Sequence, residues 1–424
     1  MANPSSRDSG LAQIRGAVAL TGLALDQITG RVHEFHRAIS DIPFKGMAPL
    51  PGINAGSEPT RLIHDSITDG VYGAVRGSMK LIFDAAETML REVEKVAPPV
   101  AVAPSFNRDM AVSALAGFVG DNMAVKRNPL TPRMGLYSAG ERLELGREDL
   151  AAAYPQATRK LVIFIHGLAC NEQVWDFYCE PDNPDTHPYA SKLEHELGYT
   201  PLFVRYNSGL HISRNGARLA RMISRLVERW PQRVDEIVLV GHSMGGLVAR
   251  SAAAAALREN ARWPALLSNL ICLGSPHLGA PLERVVHAGS RLMHRYTLSR
   301  PIAKLLQSRA VGVKDLGHGY VIDEDWRGRD ADFSLGGTGN TRIPRPAGAR
   351  YHFFGCSIGA DENDLVGRVI GDGLVLLPSS TASQLADADV AVLFKTNHLR
   401  LLNHPVIYGL IRDALQGRAA LPAA

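Results

Sequence analysis

The sequence has few cysteines and no long uninterrupted apolar run. Its four cysteines, Cys170, Cys179, Cys272 and Cys356, lie far from any Cys-x-x-Cys spacing. They are interpreted as small core residues rather than disulfide partners or metal ligands, and they are compatible with a reducing compartment. No run reaches the roughly eighteen apolar residues that a membrane-spanning helix requires. The first residues also lack the features of a secretion signal, so we expect a cytoplasmic protein.

A marked excess of one charge is also missing. The formal net charge is +4 over 424 residues, and basic residues are scattered among acidic ones. This distribution favours an ordinary solvated surface over a nucleic-acid-binding face. No cluster of histidines and carboxylates has metal-ligand spacing, and no phosphate-binding or dinucleotide-binding glycine motif follows a predicted strand. The sequence therefore predicts no nucleic-acid partner, no metal and no cofactor.

The composition is that of a globular protein, and the first 105 residues are predicted to form a helical N-terminal extension. Apolar residues recur at helical spacing over residues 10–41, and a second helix is predicted over residues 60–96. Gly70, Gly73 and Gly77 in the second helix suggest close approach of another helix. Because the polar faces mix both charges, packing of the helices on each other and on the body of the protein is favoured over peripheral contact with a membrane or lipid interface, which stays open.

Residues 106–424 are predicted to form an α/β domain. A helix is expected over residues 108–125 and a strand pair around Ala139-Gly140, and strands then alternate with helices, which predicts a mostly parallel central sheet with helices on both faces. An insertion at about residues 281–350 is interpreted as a lid or cap, because so long an interruption between adjacent strands is more often functional than idle. The predicted strands cover residues 161–165, 201–206, 237–240, 270–273, 351–356 and 390–394.

One strand-to-helix junction carries the motif Gly241-His242-Ser243-Met244-Gly245. In a sharp turn of this kind the serine adopts a strained backbone conformation, and the glycines avoid collisions with neighbouring backbone. The pattern is typical of a nucleophile elbow. It is weak evidence by itself, because 40 glycines make a chance occurrence common, so its context has to support it.

The context supplies the other groups that acyl transfer needs, namely a base, an orienting carboxylate and donors for an oxyanion. Open parallel sheets place such groups beyond the carboxyl ends of their strands. With Ser243 as nucleophile, Asp372 in Gly371-Asp372-Gly373 is the predicted carboxylate and His398, after the last strand, the predicted base. Asp361 and Asp364 compete for the carboxylate role, and His404, expected inside the final helix, is the second candidate for the base.

The oxyanion donors are predicted to be the backbone N–H groups of Met244, directly after the nucleophile, and of Leu168, in the loop after the first central strand. Three further histidines are candidates for the substrate pocket, although a structural role is favoured for each. His166 is expected to hydrogen-bond within its loop, His242 to hold the turn, and His277 to brace the loop that contains it.

Five motifs in this order carry a family resemblance: His166-Gly167-Leu168, Gly241 to Gly246, Gly274 to Pro281, Gly371-Asp372-Gly373 and His398. Over about residues 130–415 the chain resembles the lipase and esterase branch of the α/β-hydrolase superfamily, and within it bacterial enzymes related to lipases of the GPI-inositol-deacylase type. The resemblance implies hydrolysis of an ester or lipid-like small molecule through an acyl-serine, without an organic cofactor. Acyl transfer, thioester or polyester hydrolysis, and a non-catalytic binding or assembly role stay open, as does the oligomeric state.

Overall fold

A computed structural model describes most of the chain. The described residues are 11–22, 26, 29, 33, 54–96, 105–180, 182–279, 310–328, 343–364, 368, 371–381 and 388–418. They group into two compact units. One contains the described residues before 104 together with Asn122–Thr131, and the other contains those of 105–121, 132–279 and 310–418.

The elements follow the predicted alternation of helices and strands. Each predicted central strand is present, and its ends lie within three residues of the predicted ones. The elements in chain order are α1 (Asn54–Val96), α2 (Phe106–Val125), β1 (Gly135–Ser138), β2 (Glu141–Arg142), α3 (Arg147–Ala153), β3 (Lys160–Ile165), α4 (Tyr189–Leu197), β4 (Thr200–Arg205), α5 (Ile212–Arg229), β5 (Glu236–His242), α6 (Met244–Arg258), β6 (Leu267–Leu273), α7 (Val311–His318), α8 (Asp323–Trp326), β7 (Arg350–Cys356), α9 (Leu377–Thr381), β8 (Asp389–Leu393) and α10 (Pro405–Leu415).

The strands form one eight-stranded sheet in the order β2-β1-β4-β3-β5-β6-β7-β8. Strands β3 to β8 are parallel to one another, whereas β1 is antiparallel to both β2 and β4. Ala139 and Gly140, with φ of 49° and 80°, make the tight turn of the predicted β1–β2 pair. The carboxyl ends of β3, β5, β6, β7 and β8 therefore meet at one edge of the sheet.

The central strands are buried on both faces. Leu161 and Ile163 of β3 point into a core shared with α5 and α6, whereas Val162 and Phe164 point into a second core shared with α4 and α10. This packing explains why the strands read as continuous apolar runs rather than as alternating ones. The predicted architecture, a mostly parallel central sheet with helices on both faces, is confirmed.

In the first unit, residues 11–22 are helical and the N-terminal segment packs against α1. Arg15 pairs with Glu87 at 3.7 Å, Asp26 with Arg76 at 2.8 Å and His33 with Asp69 at 2.9 Å. The paired positions on α1 decrease as those on the N-terminal segment increase, so the two segments run antiparallel along these contacts. No helix among the described residues is long and apolar enough to cross a membrane.

The glycines of α1 contact no described residue. A Cβ built on Gly70, Gly73 or Gly77 would meet no described atom within 4 Å. The described part of the N-terminal segment instead contacts Tyr72 and Phe83, through the ring of His33 and through Gly22. Most of the predicted partner helix beyond residue 22 lies outside the described residues, so close approach at the glycines stays a prediction.

Part of the predicted lid belongs to the second unit. Residues 310–328 include α7 and α8, and a carboxylate oxygen of Asp315 accepts a hydrogen bond from the backbone N–H of Ile212 at 2.9 Å. Trp326 stacks on His211 with ring centroids 3.9 Å apart. Residues 280–309 and 329–342, on which the rest of the lid prediction falls, lie outside the described residues.

Candidate active site

Ser243 occupies a strained turn between β5 and α6. Its φ of 55° and ψ of −123° lie in a region that residues other than glycine rarely adopt. An ideal Cβ on Gly245 would lie 2.1 Å from the carbonyl oxygen of Ile165, and one on Gly241 would lie 2.3 Å from the nitrogen of Gly246. The turn therefore requires glycine on both sides of the serine, as the motif predicts.

Asp372 and His398 are hydrogen-bonded to each other. Nδ1 of His398 lies 2.7 Å from Oδ2 of Asp372, and both side chains are almost fully buried. The other carboxylate oxygen, Oδ1, accepts the N–H groups of Leu374 at 2.9 Å and Val375 at 2.7 Å. These bonds fix the carboxylate, which in turn favours the imidazole tautomer that carries its proton on Nδ1 and leaves a lone pair on Nε2.

The end of β6 brings the imidazole close to the serine. The N–H of Ser243 donates to the carbonyl oxygen of Leu273 at 2.8 Å. A Cβ on the next residue, Gly274, would lie 3.1 Å from both Nδ1 and Cε1 of His398. Nε2 of His398 is buried and has no hydrogen-bond partner in the described part of the chain. A contact between base and nucleophile is commonly long in the absence of substrate, so this free lone pair suits a proton acceptor for Ser243.

The loop after β3 lies directly against the serine. A Cβ on Gly167 would lie 3.0 Å from Cβ of Ser243 and 3.3 Å from the carbonyl oxygen of His242. The next residue is Leu168, and the N–H groups of Leu168 and Met244 donate no hydrogen bond to any described residue. For Met244 the reason is general, because the first N–H groups of a helix have no intrahelical acceptor. Two N–H groups without an acceptor among the described residues thus belong to the segments next to Ser243.

His166 has the bracing contacts that the sequence favours. Its Nδ1 lies 2.9 Å from the carbonyl oxygen of Gly167, and its Nε2 accepts the N–H of Tyr206 at 3.2 Å. The ring also stacks on Tyr206 with centroids 4.3 Å apart. Burial lowers the pKa of His166 to about 3, so its imidazole is neutral near pH 7 and connects the loops after β3 and β4.

His242 and His277 are likewise internal. Nε2 of His242 lies 3.2 Å from the carbonyl oxygen of His398, and burial lowers the pKa of His242 to about 3. Nδ1 of His277 accepts from a guanidinium N–H of Arg250 at 2.8 Å, and burial together with this cation keeps the pKa of His277 well below its usual value. Both side chains are at most 5% exposed, so these contacts favour bracing over substrate contact.

The competing candidates lie in other surroundings. Asp361 and Asp364 accept backbone N–H groups of their own turn, from Asn363 at 2.7 Å and Ala360 at 2.9 Å. His404 was expected inside the final helix, and that position was wrong. It caps α10, its Nδ1 accepting the N–H of Val406 at 3.2 Å, because Pro405 begins the helix and needs no acceptor.

Sequence reasoning assigned no site role to Cys356. Its Sγ lies 3.8 Å from Oδ2 of Asp372, and burial raises the pKa of the thiol above its ordinary value, with the carboxylate adding to the shift. The thiol is therefore a weak donor to the same oxygen that His398 contacts. Nothing in the sequence signals this contact, because Cys356 ends an ordinary buried strand. In the described ranges, no group of three or more acidic, histidine or cysteine side chains could hold a metal ion.

The central part of the chain matches a known family. Residues 155–319 match the family model described as "Putative serine esterase (DUF676)". The match relates this segment to serine esterases and confirms the resemblance that the motifs indicate. Together, the motifs and the family match support a serine hydrolase. No curated protein matches the chain.

Several solved structures are similar at low identity. A lipase-esterase related protein from Clostridium acetobutylicum is 13% identical and has a TM-score of 0.33, with 61% of this chain and 95% of that chain covered. An esterase from Pyrococcus furiosus is 12% identical with a TM-score of 0.35 and coverage of 62% and 84%. A thioesterase from the prodiginine biosynthetic pathway of Streptomyces coelicolor is 15% identical with a TM-score of 0.35 and coverage of 61% and 91%. The fold assignment rests on the strand order and packing described above.

Proposed function

We propose that the protein hydrolyses carboxylic esters through an acyl-serine intermediate formed on Ser243. The observation that carries this proposal is the arrangement of His398, whose Nδ1 is bonded to the buried Asp372 while its Nε2 has no partner among the described residues and lies beside the strained serine turn. A nucleophile, a base and a group that orients the base are the parts of a serine hydrolase site.

In the proposed reaction, Ser243 Oγ attacks the ester carbonyl carbon while Nε2 of His398 accepts the hydroxyl proton. The C–O bond to the alcohol then breaks, and His398 returns the proton to the departing oxygen. Water then attacks the acyl carbonyl carbon while giving a proton to His398, the C–Oγ bond to Ser243 breaks, and His398 returns the proton to Oγ as the acid is released. Asp372 stays ionised throughout and stabilises the imidazolium that forms in each half of the reaction.

The N–H groups of Leu168 and Met244 are proposed to stabilise the oxyanion of each tetrahedral intermediate. Both lack an acceptor among the described residues, and the Gly167 contact shows that the two segments meet at Ser243. One such donor typically contributes ~2.7 to 4 kcal/mol to transition-state stabilisation. The strained backbone of Ser243 also orients its side chain, because the tight turn holds this residue directly before α6.

The test is hydrolysis of p-nitrophenyl esters by the wild-type chain and by Ser243→Ala. We expect the substitution to lower kcat by about 10⁴-fold or more, because it removes the nucleophile. Ser224→Ala, a half-buried serine of α5, is the matched control and should keep wild-type activity. A fluorophosphonate probe should label wild type and the control but not Ser243→Ala.

Undiminished ester hydrolysis or labelling in Ser243→Ala would refute the proposal. The same assay with an added alcohol or thiol acceptor distinguishes hydrolysis from acyl transfer, because transfer would produce a new ester or thioester instead of the free acid.

A further inference from the structure

The part of helix α2 between Phe106 and Asp121 packs against the loop that follows β3. An ideal Cβ on Gly117 would lie 2.7 Å from Cβ and 2.8 Å from Cα of Ala169. Ala169 directly follows Leu168 and has a φ of 59°, so the loop turns sharply at the point where the helix touches it. The helix backbone can approach this closely only because residue 117 has no side chain.

Ala169 is also hydrogen-bonded to the loop after β4. Its N–H donates to Oγ of Ser208 at 3.0 Å. The neighbouring Asn207 donates from Nδ2 to the carbonyl oxygen of Gly120 on α2 at 2.7 Å. The loop after β4 is therefore bonded both to the helix and to Ala169.

A buried ion cluster holds the start of the helix to the same loop. Arg205, at the end of β4, donates to both carboxylate oxygens of Glu172, at 2.7 and 2.6 Å, and to Asp109 of α2 at 3.1 Å. All three side chains are less than a tenth exposed. The guanidinium also lies 4.2 Å above the ring of Tyr137. Because the charges are shielded from solvent, each one needs its partner in good hydrogen-bond geometry.

We propose that α2 positions the loop of residues 167–172, with Gly117 and Asp109 as positioning residues for the Leu168 N–H; this inference rests on the proposed function. The helix contacts this loop at two points. Gly117 lies against Ala169, and Asp109 is linked to Glu172 through Arg205. An oxyanion donor acts only when it lies about 2.7 to 3.1 Å from the charge that develops. The working hydrolase unit then begins near residue 105, ahead of the segment that matches the serine esterase family.

The test is Gly117→Ala, which places a methyl group against Ala169. In a free helix alanine is the better helix former, so a residue with no role in packing would tolerate the change. We expect the methyl group to displace the loop and lower kcat by about 10- to 100-fold at nearly unchanged KM. Leu115→Ala, on the exposed face of the same helix, is the matched control and should keep wild-type kcat.

The second-site variant Ala169→Gly removes the methyl group at 2.7 Å but leaves Cα of residue 169 at 2.8 Å from the new side chain. Glycine suits the positive φ at this position, so the double variant should recover only part of the lost kcat, because the remaining backbone contact still displaces the loop. The pH profile of kcat/KM should keep its shape in all variants, because Asp372 and His398 are untouched. A general loss of structure would change KM and thermal stability together, whereas displacement of the loop should leave KM nearly unchanged.

Hydrogen exchange of the peptide that spans residues 166–172 gives a readout independent of catalysis. It should be faster in Gly117→Ala and partly restored in the double variant. Unchanged exchange and unchanged kcat in Gly117→Ala would overturn the inference, as would a loss of kcat without faster exchange of this peptide. If Gly117→Ala does not fold, Asp109→Asn is measured in its place, with the same faster exchange expected. Failure of the proposed function is separate, since wild type would then neither hydrolyse esters nor react with a fluorophosphonate.

Discussion

Two histidine–aspartate pairs follow strands of the same sheet, one with a buried histidine and one with a partly buried histidine. His398 meets Asp372 at 2.7 Å, and His211 meets both oxygens of Asp315 at 3.0 and 3.1 Å. In each pair the aspartate also accepts backbone N–H groups, from Leu374 and Val375 in the first and from Ile212 in the second.

The pairs differ in what surrounds the ring. The face of His211 is covered by Trp326 at 3.9 Å, and Asp315 ties the start of α5 to α7. The ring of His398 lies beside Gly274, one residue from the hydrogen-bond acceptor of Ser243, and its buried Nε2 has no partner among the described residues. A histidine–aspartate bond can thus serve only to hold the fold, and a neighbouring serine distinguishes the pair that we propose to be reactive.

The largest contrast is expected between the two histidines. His398→Ala should lower kcat by about 10⁴-fold or more, because the serine loses its proton acceptor. His211→Ala should keep kcat within about 3-fold, since its partner supports a helix rather than a nucleophile. Steady-state hydrolysis of p-nitrophenyl esters measures both, with circular dichroism as the check on folding. Equal losses in the two variants would remove the distinction between the pairs.

Asp372→Asn should lower kcat by about 10⁴-fold, because an amide that donates to Nδ1 favours the wrong imidazole tautomer. The matched substitution Asp315→Asn should keep activity. The measurement is the pH dependence of kcat for both variants. Wild-type kcat in Asp372→Asn would show that another group, such as Asp361 or Asp364, orients the base.

Asp315→Ala should lower the free energy of unfolding by about 1 to 3 kcal/mol, because the N–H of Ile212 and the His211 ring lose a buried acceptor. Asp315→Asn keeps an oxygen for Ile212 and should lose less. Urea unfolding measures the change, and kcat of the folded fraction should stay near the wild-type value. A loss of kcat without a loss of stability would contradict the assigned role.

The smallest effect is expected at a third pair, in which His352 lies 3.1 Å from the half-exposed Asp389. Burial lowers the pKa of His352 to about 4, whereas an unfolded histidine has a pKa of about 6.5. The unfolded chain therefore binds the extra proton between these values, and stability falls as the pH drops through this window, by at most about 1.4 kcal/mol per pH unit. Above pH 6.5 this effect is absent.

His352→Gln should make the dependence of unfolding free energy on pH shallower between about pH 4 and 6.5. Urea unfolding at four or five pH values within this range measures the slope. An unchanged slope would show that His352 titrates alike in the folded and unfolded chains.

The sheet could be predicted because parallel strands buried on two faces must be apolar along their whole length, as Leu161 to Ile165 are. The proximity of Ser243, Asp372 and His398 could be predicted for a related reason, because the carboxyl ends of parallel strands bring residues that are distant in sequence to one edge of the sheet. The structure brings Asp372 and His398 into hydrogen-bond contact. Their catalytic roles stay predictions until the variants are measured.

The rest could not be read from the sequence because it depends on which surfaces meet. Gly117 and Gly73 are both glycines inside helices, yet the first contacts Ala169 and the second contacts no described residue. Asp109, Glu172 and Arg205 are ordinary charged residues until the fold buries them together. The local sequence pattern predicts the secondary structure of a segment, whereas contacts between segments depend on tertiary packing.

The positive φ of Ser243 has a further consequence for how this protein can be improved. A side chain held in this region is destabilising by about 1 to 3 kcal/mol relative to relaxed backbone. Selection for thermal stability alone would therefore favour glycine at residue 243, a substitution that removes the proposed nucleophile. A stability screen on this chain consequently needs a turnover readout at every round.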